Sequence, residues 1–527
     1  MQHWKKIVCA AILGLAFTGC VRNTARQTGI EVSEKAQAEI IEAKVVALHD
    51  DALTVQPGTI SRKSENGFKP EGEEITLNLK QAKLTEAGQE ASFKQLQPGD
   101  LLRVAYRTKE ISDIEILPEH RHPQGGSAGG LSSVSGTSAS TLDSNCTIRS
   151  DEFISQGDDE NALRIQDASV TLEESTVSKT GGSSSSLEDG TLHGLNAALL
   201  VCDKAKASIA SCLVESSAPD GSGVSVCGKD TSAQIRDTQI TTADDHSPGI
   251  QAAGGASLEA QNLTVRTTGS YSAAIRTNRG GETAVEEGTY KTSGLNAPVI
   301  YAAAEVQAEN ASLEAEHSEG VVVEGPGSVE LKNCTLSGDM SERGSSAEEN
   351  RHTVMLYQSG SDEGKRAPAS FTMKGGRLIG ETGDLFYVTN TRAKMVLSGV
   401  RLKKEAADGL FLRVSGNTAR QGWGKASANG AQLECELDQQ AAEGDIEVDA
   451  ISSLQLTLKN KSQLSGAIRL VDNAKHARTD EAHISVIVGE GCIWKLTGDC
   501  TLTSLENYGT IDFNGHTITL ENGTVLA

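Results

Sequence analysis

Val170-Thr-Leu172-Glu-Glu174-Ser-Thr-Val177 sets out a plan that the chain repeats six more times. The later copies are Ala207-Ser-Ile209-Ala-Ser211-Cys-Leu-Val214, Ala233-Gln-Ile235-Arg-Asp237-Thr-Gln-Ile240, Leu258-Glu-Ala260-Gln-Asn262-Leu-Thr-Val265, Thr283-Ala-Val285-Glu-Glu287-Gly-Thr-Tyr290, Val306-Gln-Ala308-Glu-Asn310-Ala-Ser-Leu313 and Val329-Glu-Leu331-Lys-Asn333-Cys-Thr-Leu336. Two apolar or small residues stand two apart, a polar or turn-forming residue takes the fifth place, and an apolar residue closes the unit. The closing residues are 37, 26, 25, 25, 23 and 23 positions apart. A period in this range is that of stacked coils.

Residues two apart on a strand share a face, so the first two apolar positions define a strand with one side turned inward. The fifth position holds Glu174, Ser211, Asp237, Asn262, Glu287, Asn310 or Asn333. Asn and Asp tolerate left-handed backbone and close turns with their own side chains, so this position is a corner and the next apolar residue opens a second face. A further strand is expected within each period, in Asn196-Ala-Ala-Leu-Leu-Val201, Gly223-Val-Ser-Val226, Gly249-Ile-Gln-Ala252, Ala274-Ile-Arg-Thr277, Pro298-Val-Ile-Tyr301 and Gly320-Val-Val-Val323. Three strands and three turns per coil predict an all-β chain dominated by a right-handed parallel β-helix.

Two insertions, Lys179 to Gly194 and Ser341 to Arg351, interrupt the pattern, which resumes as Phe371-Thr-Met373-Lys-Gly375-Gly-Arg-Leu378 and Met395-Val-Leu397-Ser-Gly399-Val-Arg-Leu402. It blurs after Gly416, where Leu454-Gln-Leu-Thr-Leu458, Ile484-Ser-Val-Ile-Val488 and Thr510-Ile-Asp-Phe513 read as later, shorter coils. Ile518-Thr-Leu520 and Val525-Leu526 are expected to close the stack, because an open coil presents unpaired strand edges. A dozen coils at about 4.8 Å each give a rod of about 60 Å.

Composition agrees with a stack. The 527 residues exceed one compact core, aromatics are 3% and glycines number 54, which suits small stacked side chains and close turns. With 48 basic against 71 acidic residues the formal charge is −23, which argues against a nucleic-acid partner, since phosphate binding needs clustered Lys and Arg.

Residues 1–19 read as an export signal: Lys5 and Lys6 precede an apolar run from Ile7 to Phe17 that is short for a membrane span. The run ends in Phe17-Thr18-Gly19-Cys20, which resembles the lipobox of bacterial lipoproteins, although Phe17 stands where that family usually has Leu. The resemblance implies lipidation of Cys20, a membrane-lipid partner, and, because Val21 follows the cysteine, no retention at an inner membrane. The expected address is therefore the cell envelope, at the outer membrane or cell surface. Residues 20–37 are the tether.

Residues 38–118 read as a small β domain. Glu42 to Leu48 and Ala52 to Val55 flank a turn at His49-Asp50-Asp51, and Leu96-Gln-Pro-Gly-Asp100 leads into Leu101-Leu-Arg-Val-Ala-Tyr106. Five or six short strands suggest a small barrel, and the Pro-Gly-Asp turn ahead of a strand resembles OB-like domains of exported bacterial proteins. Phe68, Phe93 and Tyr106 are too few for a base-stacking platform, so a spacer or docking role is expected. A Gly/Ser-rich linker occupies 119–143, and the β-helix occupies 144–527. His120 and His122, on that linker, have nothing to hold them as metal ligands.

From about Asp143 onward the coils resemble the pectin-lyase-like β-helices, particularly bacterial surface β-helices with phrases such as Gly294-Leu-Asn-Ala-Pro-Val299 and Asn507-Tyr-Gly-Thr-Ile-Asp-Phe-Asn-Gly-His516. As an enzyme, such a fold would act on acidic polysaccharides. Hydrolases of that family carry Asn-Thr-Asp, Asp-Asp, Gly-His-Gly and Arg-Ile-Lys motifs in order, and lyases use an Arg or Lys base beside carboxylates that hold calcium. Here only Asp158-Asp159 and Asp244-Asp245-His246 approach those patterns, so these four aspartates are the weak catalytic candidates.

Asn262-Leu-Thr264, Asn310-Ala-Ser312 and Asn333-Cys-Thr335 match a glycosylation acceptor, but the repeat itself generates them at its corners. Cys202 and Cys227 are one period apart, which allows either a disulfide between coils or two stacked reduced thiols. Cys492 and Cys500 form a second candidate pair. No Cys/His spacing suggests a metal or cofactor; calcium enters only with the lyase alternative.

The expectation is a non-catalytic surface lipoprotein that displays a β-helix for adhesion or for binding a glycan or protein. The alternatives are an anchored lyase or hydrolase of acidic polysaccharides, and an envelope scaffold or spacer.

Overall fold

The computed structural model describes residues 136–342, 350–359, 368–479 and 482–527, together with strand segments between 39 and 117. The export signal, the lipobox Cys20, the tether and residues 119–135 lie outside the described residues.

Three long parallel sheets make the stack. Sheet one has 14 strands, from Cys146–Arg149 to Ser504–Asn507. Sheet two has 10, from Glu152–Ser155 to Arg401–Lys404, and sheet three has 13, from Thr137–Leu142 to Ile468–Val471. Every strand pairs with its counterpart in the next coil, as in Leu172↔Ile209, Ile209↔Ile235 and Ile235↔Ala260. The chain is thus a parallel β-helix, as its period predicts.

The corners explain why the coils stay in step. Glu174, Ser211, Asp237, Asn262, Glu287, Asn310 and Asn333 all have φ between 50° and 60°. Each corner N–H donates to the carbonyl one coil on, as Asn262 N does to Glu286 O (2.9 Å) and Asn310 N to Lys332 O (2.9 Å). The Asn262 side chain also donates to Asp237 Oδ1 at 2.7 Å, joining adjacent corners. The Asn of each glycosylation-like triplet is therefore a corner residue.

The core is a set of columns. On sheet one Leu172, Ile209, Ile235, Ala260, Val285, Ala308 and Leu331 stack with at most 4% exposure, and on sheet two Val177, Val214, Ile240, Val265, Tyr290 and Leu313 stack with at most 1%. Next to the second column, Thr242, Thr267 and Thr292 also point inward, and each hydroxyl donates to a carbonyl five residues on, at Ser247, Ser272 and Ala297. Those bonds fix the turn between sheets two and three, where the functional candidates stand.

Several boundaries differ from the sequence reading. Thr137–Leu142, expected as linker, is the first strand of sheet three and pairs with Glu160–Gln166, its small polar side chains fitting the ladder. The sheet-three strands begin one to three residues later than expected, at Leu199, Val224, Ile250, Ile275, Ile300 and Val321, because the preceding residues belong to the incoming turn. Sheet two ends at Lys404 and is followed by a four-stranded sheet from Ala441–Glu443 to Thr510–Asp512. Ile518–Leu520 and Val525–Leu526 do terminate one face: the last strand turns back antiparallel, pairing Ile518 with Leu526.

The insertion after Lys179 contains a helix, α1 (Leu187–His193). Ser186 caps it by accepting from Asp189 N, and Gly194 ends it at φ 71°. The signal was present as Ser186-Leu-Glu-Asp189, a serine with an acid three residues on. In the second insertion, residues 343–349 lie outside the described residues.

Where the small β domain was expected, the described strands form one eight-stranded, mostly antiparallel sheet rather than five or six strands. Glu39–His49 and Ala52–Ile60 make the expected hairpin, with His49 opposite Ala52, and Ala43, Val45, Leu53, Val55, Leu102 and Val104 are buried.

Candidate binding faces

The turn between sheets two and three carries a second left-handed column. Asp220, His246, Tyr271 and Asn296 have φ of 53°, 53°, 58° and 53° in successive coils. Their separations of 26, 25 and 25 residues match the period of the repeat. Left-handed backbone is costly for a side chain as bulky as tyrosine and persists where surroundings enforce it. Here Asp220 N donates to Asp245 O, His246 N to Ser270 O and Tyr271 N to Leu295 O, at 2.9–3.0 Å.

Outside the backbone these side chains stack. The His246 and Tyr271 rings are parallel within 4° with centroids 5.0 Å apart, and His246 Nδ1 lies 3.6 Å from Asp220 Oδ1. Burial pushes the Asp220 carboxyl up to about 6; Arg276 pulls it down, while Asp244 and Asp245 push it further up. Asp220, absent from the sequence candidates, is thus the carboxyl most perturbed in this neighbourhood.

The four candidate aspartates separate into two places. Asp158 and Asp159 precede Glu160–Gln166 and fasten the insertion: Asp158 Oδ1 accepts from Ser183 N and Oγ at 2.7 and 2.8 Å, and Asp159 Oδ1 accepts from Ser185 N at 2.7 Å. Asp245 does the same one coil along, accepting from Ser270 N at 2.7 Å, and Asp244 accepts from its own neighbour Asp245 N at 2.8 Å. Three of the four therefore tie one coil to the next.

The outer side of sheet three is covered for much of its length. Leu200, Ser225 and Gln251 are fully buried there, and Gln251 Nε2 donates to Gly190 O of α1 at 3.1 Å. Further along, Arg276 lies over the Tyr301 ring at 5.4 Å, the Tyr301 hydroxyl bonds Glu324, and the ring of Tyr357 packs on Trp423 at 4.5 Å. Beyond these, Glu319 meets His352 at 3.4 Å, His352 packs on Tyr387 at 5.1 Å, and Arg413 binds Asp384 at 2.7 Å and Glu447 at 2.9 Å. Of the chain's seven tyrosines, Tyr301, Tyr357 and Tyr387 occupy this face and Tyr271 its edge. The sequence signal was the loss of alternation: Asp384-Leu-Phe-Tyr-Val-Thr389 is buried at every position.

The outer side of sheet one is open. Its strands alternate exposed and buried, as in Glu282–Glu286 and Glu305–Glu309. A groove of about 470 Å³ runs across it, lined among others by Gln234, Arg236, Glu259, Glu286, Glu309 and Glu330. Gln234 reaches Glu259 at 2.9 Å and Lys374 reaches Glu330 at 2.9 Å, so side chains link coil to coil along the surface.

Cys202 and Cys227 lie on the outer side of sheet three in successive coils, with Leu200 and Ala253. Both are free thiols, and burial pushes each up to about 12. Cys492 and Cys500 are likewise free and buried in the main core; Cys500 Sγ accepts from Ile468 N at 3.2 Å. Among the described residues no three His, Cys, Asp or Glu side chains converge as a metal site.

No protein-family model matches the chain, and no curated protein matches it.

Proposed function

We propose that this chain is a lipid-anchored protein of the cell envelope, held through Cys20, whose β-helix is a non-catalytic rod for binding a glycan or protein. The observation that carries the reading is the open outer side of sheet one. There a groove crosses at least four coils on a register-locked lattice of amides and carboxylates, Gln234, Glu259, Gln307 and Glu330 standing in one column with Ala284 between them. Sites repeating at about 4.8 Å suit an extended chain better than one small molecule. Glu259, Glu286, Glu309 and Glu330 outnumber Arg236 and Lys332 in its lining, so a neutral or amine-bearing polymer fits and a polyuronate is repelled.

A second reading, a polysaccharide lyase or hydrolase, is favoured by one feature, the raised carboxyl of Asp220 beside His246 and Arg276. The two readings part on incubation of the full chain with uronic-acid polymers and calcium. The binding-rod reading predicts no unsaturated or reducing ends; their release, lost in Asp220→Ala or in the double variant Asp244→Ala with Asp245→Ala, would establish the enzyme instead.

A further inference from the structure

Three buried polar atoms without a hydrogen-bond partner lie within one patch of the covered face: Arg276 Nε, Asn278 Nδ2 and Gln251 Oε1. Arg276 and Asn278 are two apart on the strand Ile275–Asn278 and so project to the same side, and Gln251 stands directly opposite Arg276 on the adjacent strand. Asn278 is 6% exposed and Gln251 fully buried, so bulk water does not complete them. Thr277, between Arg276 and Asn278 on the strand, also has an unpaired hydroxyl, but on the inward side; the side chains beside them on the outer face are paired. Gln251 Nε2 bonds Gly190 O and Ser225 Oγ, each at 3.1 Å; Arg279 pairs with Glu188 at 3.4 Å; and the Tyr301 hydroxyl is bonded to Glu324. The deficit is therefore local: two donors and one acceptor.

The guanidinium decides the chemistry. Arg276 makes a ring contact with Tyr301 and no ion pair among the described residues, while burial lowers it from its ordinary value, opposed by Glu324, Tyr357 and Asp220. A planar fork of donors matches a carboxylate, whose two oxygens accept in parallel. Glu324 and Asp220 act on the same guanidinium, and the chain carries a formal charge of −23, so a single negative charge is accommodated more readily than a phosphate dianion. Arg276, Tyr301, Glu324 and Trp423 are only half-buried, and Tyr301 and Trp423 pack on one apolar cluster, so the patch borders partly exposed aromatic surface.

We propose that Arg276 and Asn278 form a binding site for a monovalent carboxylate carried on an apolar ring, with the ring against Tyr301 and Trp423 and an adjacent ligand hydroxyl donating to Gln251. This site lies on sheet three and is independent of the groove on sheet one.

Mandelate, an aromatic ring with a hydroxyl next to its carboxylate, is the probe. Calorimetric titration of the full chain at pH 7 is expected to show saturable binding that methyl mandelate, lacking the charge, and inorganic phosphate do not reproduce. Arg276→Gln is expected to weaken it by at least about tenfold, Asn278→Ala by a few-fold, and Arg276→Lys, which keeps the charge without the fork, by an intermediate factor. Glu443→Gln, exposed on the four-stranded sheet and outside both candidate sites, leaves it unchanged. Circular dichroism confirms that each variant keeps its sheet content. The proposal is overturned if the native chain does not bind mandelate at millimolar concentration, if folded Arg276→Gln binds as tightly as the native chain, or if phosphate binds as well as mandelate.

Discussion

Sheets one and three run the length of the same rod, use the same coils and share one period, yet their outer sides have opposite fates. Sheet one shows water a lattice of Glu, Gln, Ser and Lys, and strands such as Ser257–Gln261, Glu282–Glu286 and Glu305–Glu309 alternate. Sheet three hides much of its outer side under α1 and the Trp423 segment, and strands such as Val224–Cys227 and Ile250–Ala253 are buried at every position. The lesson is that the repeat fixes only what faces inward. What faces outward depends on segments outside the repeat, and there the two sheets have diverged into an open surface and a covered one.

The contrast breaks most visibly if a charge is placed at equivalent outward positions. Met355 is 2% exposed on sheet three, and Met355→Lys should cost about 4 kcal/mol or more in a denaturant melt, because it buries an ammonium among Val322, Tyr357 and Tyr387. A smaller loss is expected at the corners both sheets depend on. Asn310→Val, at φ 55°, should lose about 1–2 kcal/mol, since a β-branched residue resists left-handed backbone.

The edge of sheet three gives a pH-dependent test. Burial raises Asp220 to about 6, above the ordinary carboxylate value, so its contribution to stability is fully present below about pH 4 and is lost as pH rises through 6. Asp220→Asn keeps a residue that tolerates φ 53° and removes the buried charge. It should stabilise the chain by about 1–2 kcal/mol at pH 7 and by nothing at pH 3.5. Equal effects at both pH values would show that the carboxyl is not perturbed. At the small end, Gln307→Lys on the open side of sheet one should change stability by no more than about 0.5 kcal/mol.

How much of this could be read beforehand follows the same division. The corners were legible because left-handed backbone restricts residue choice, and Asn262, Asn310 and Asn333 sit where the pattern put them. The inward columns were legible from apolar residues two apart. The cover of sheet three was not, because it comes from distant sequence: Gly190, which holds Gln251, is 61 residues away. Asp220 was missed for a different reason. It belongs to the column of His246 and Tyr271 at the chain's own period, so its neighbours lie a coil away, whereas the signal of Asp244-Asp245 is a close pair along the chain. Read down the column, Asp220 stands out and Asp245 becomes a fastening for the next turn.

On the reading proposed above, the open side of sheet one binds a polymer without cutting it. The direct measurement is binding of chitosan oligosaccharides, an amine-bearing glycan, to the full chain, with reducing ends assayed in the same samples. The prediction is saturable, salt-sensitive binding that is lost in the triple variant Glu259→Gln, Glu286→Gln and Glu309→Gln, is kept when Glu405, Glu443 and Glu490 are neutralised instead, and produces no new reducing ends. Absence of binding, equal loss in both triple variants, or the appearance of new ends would contradict it.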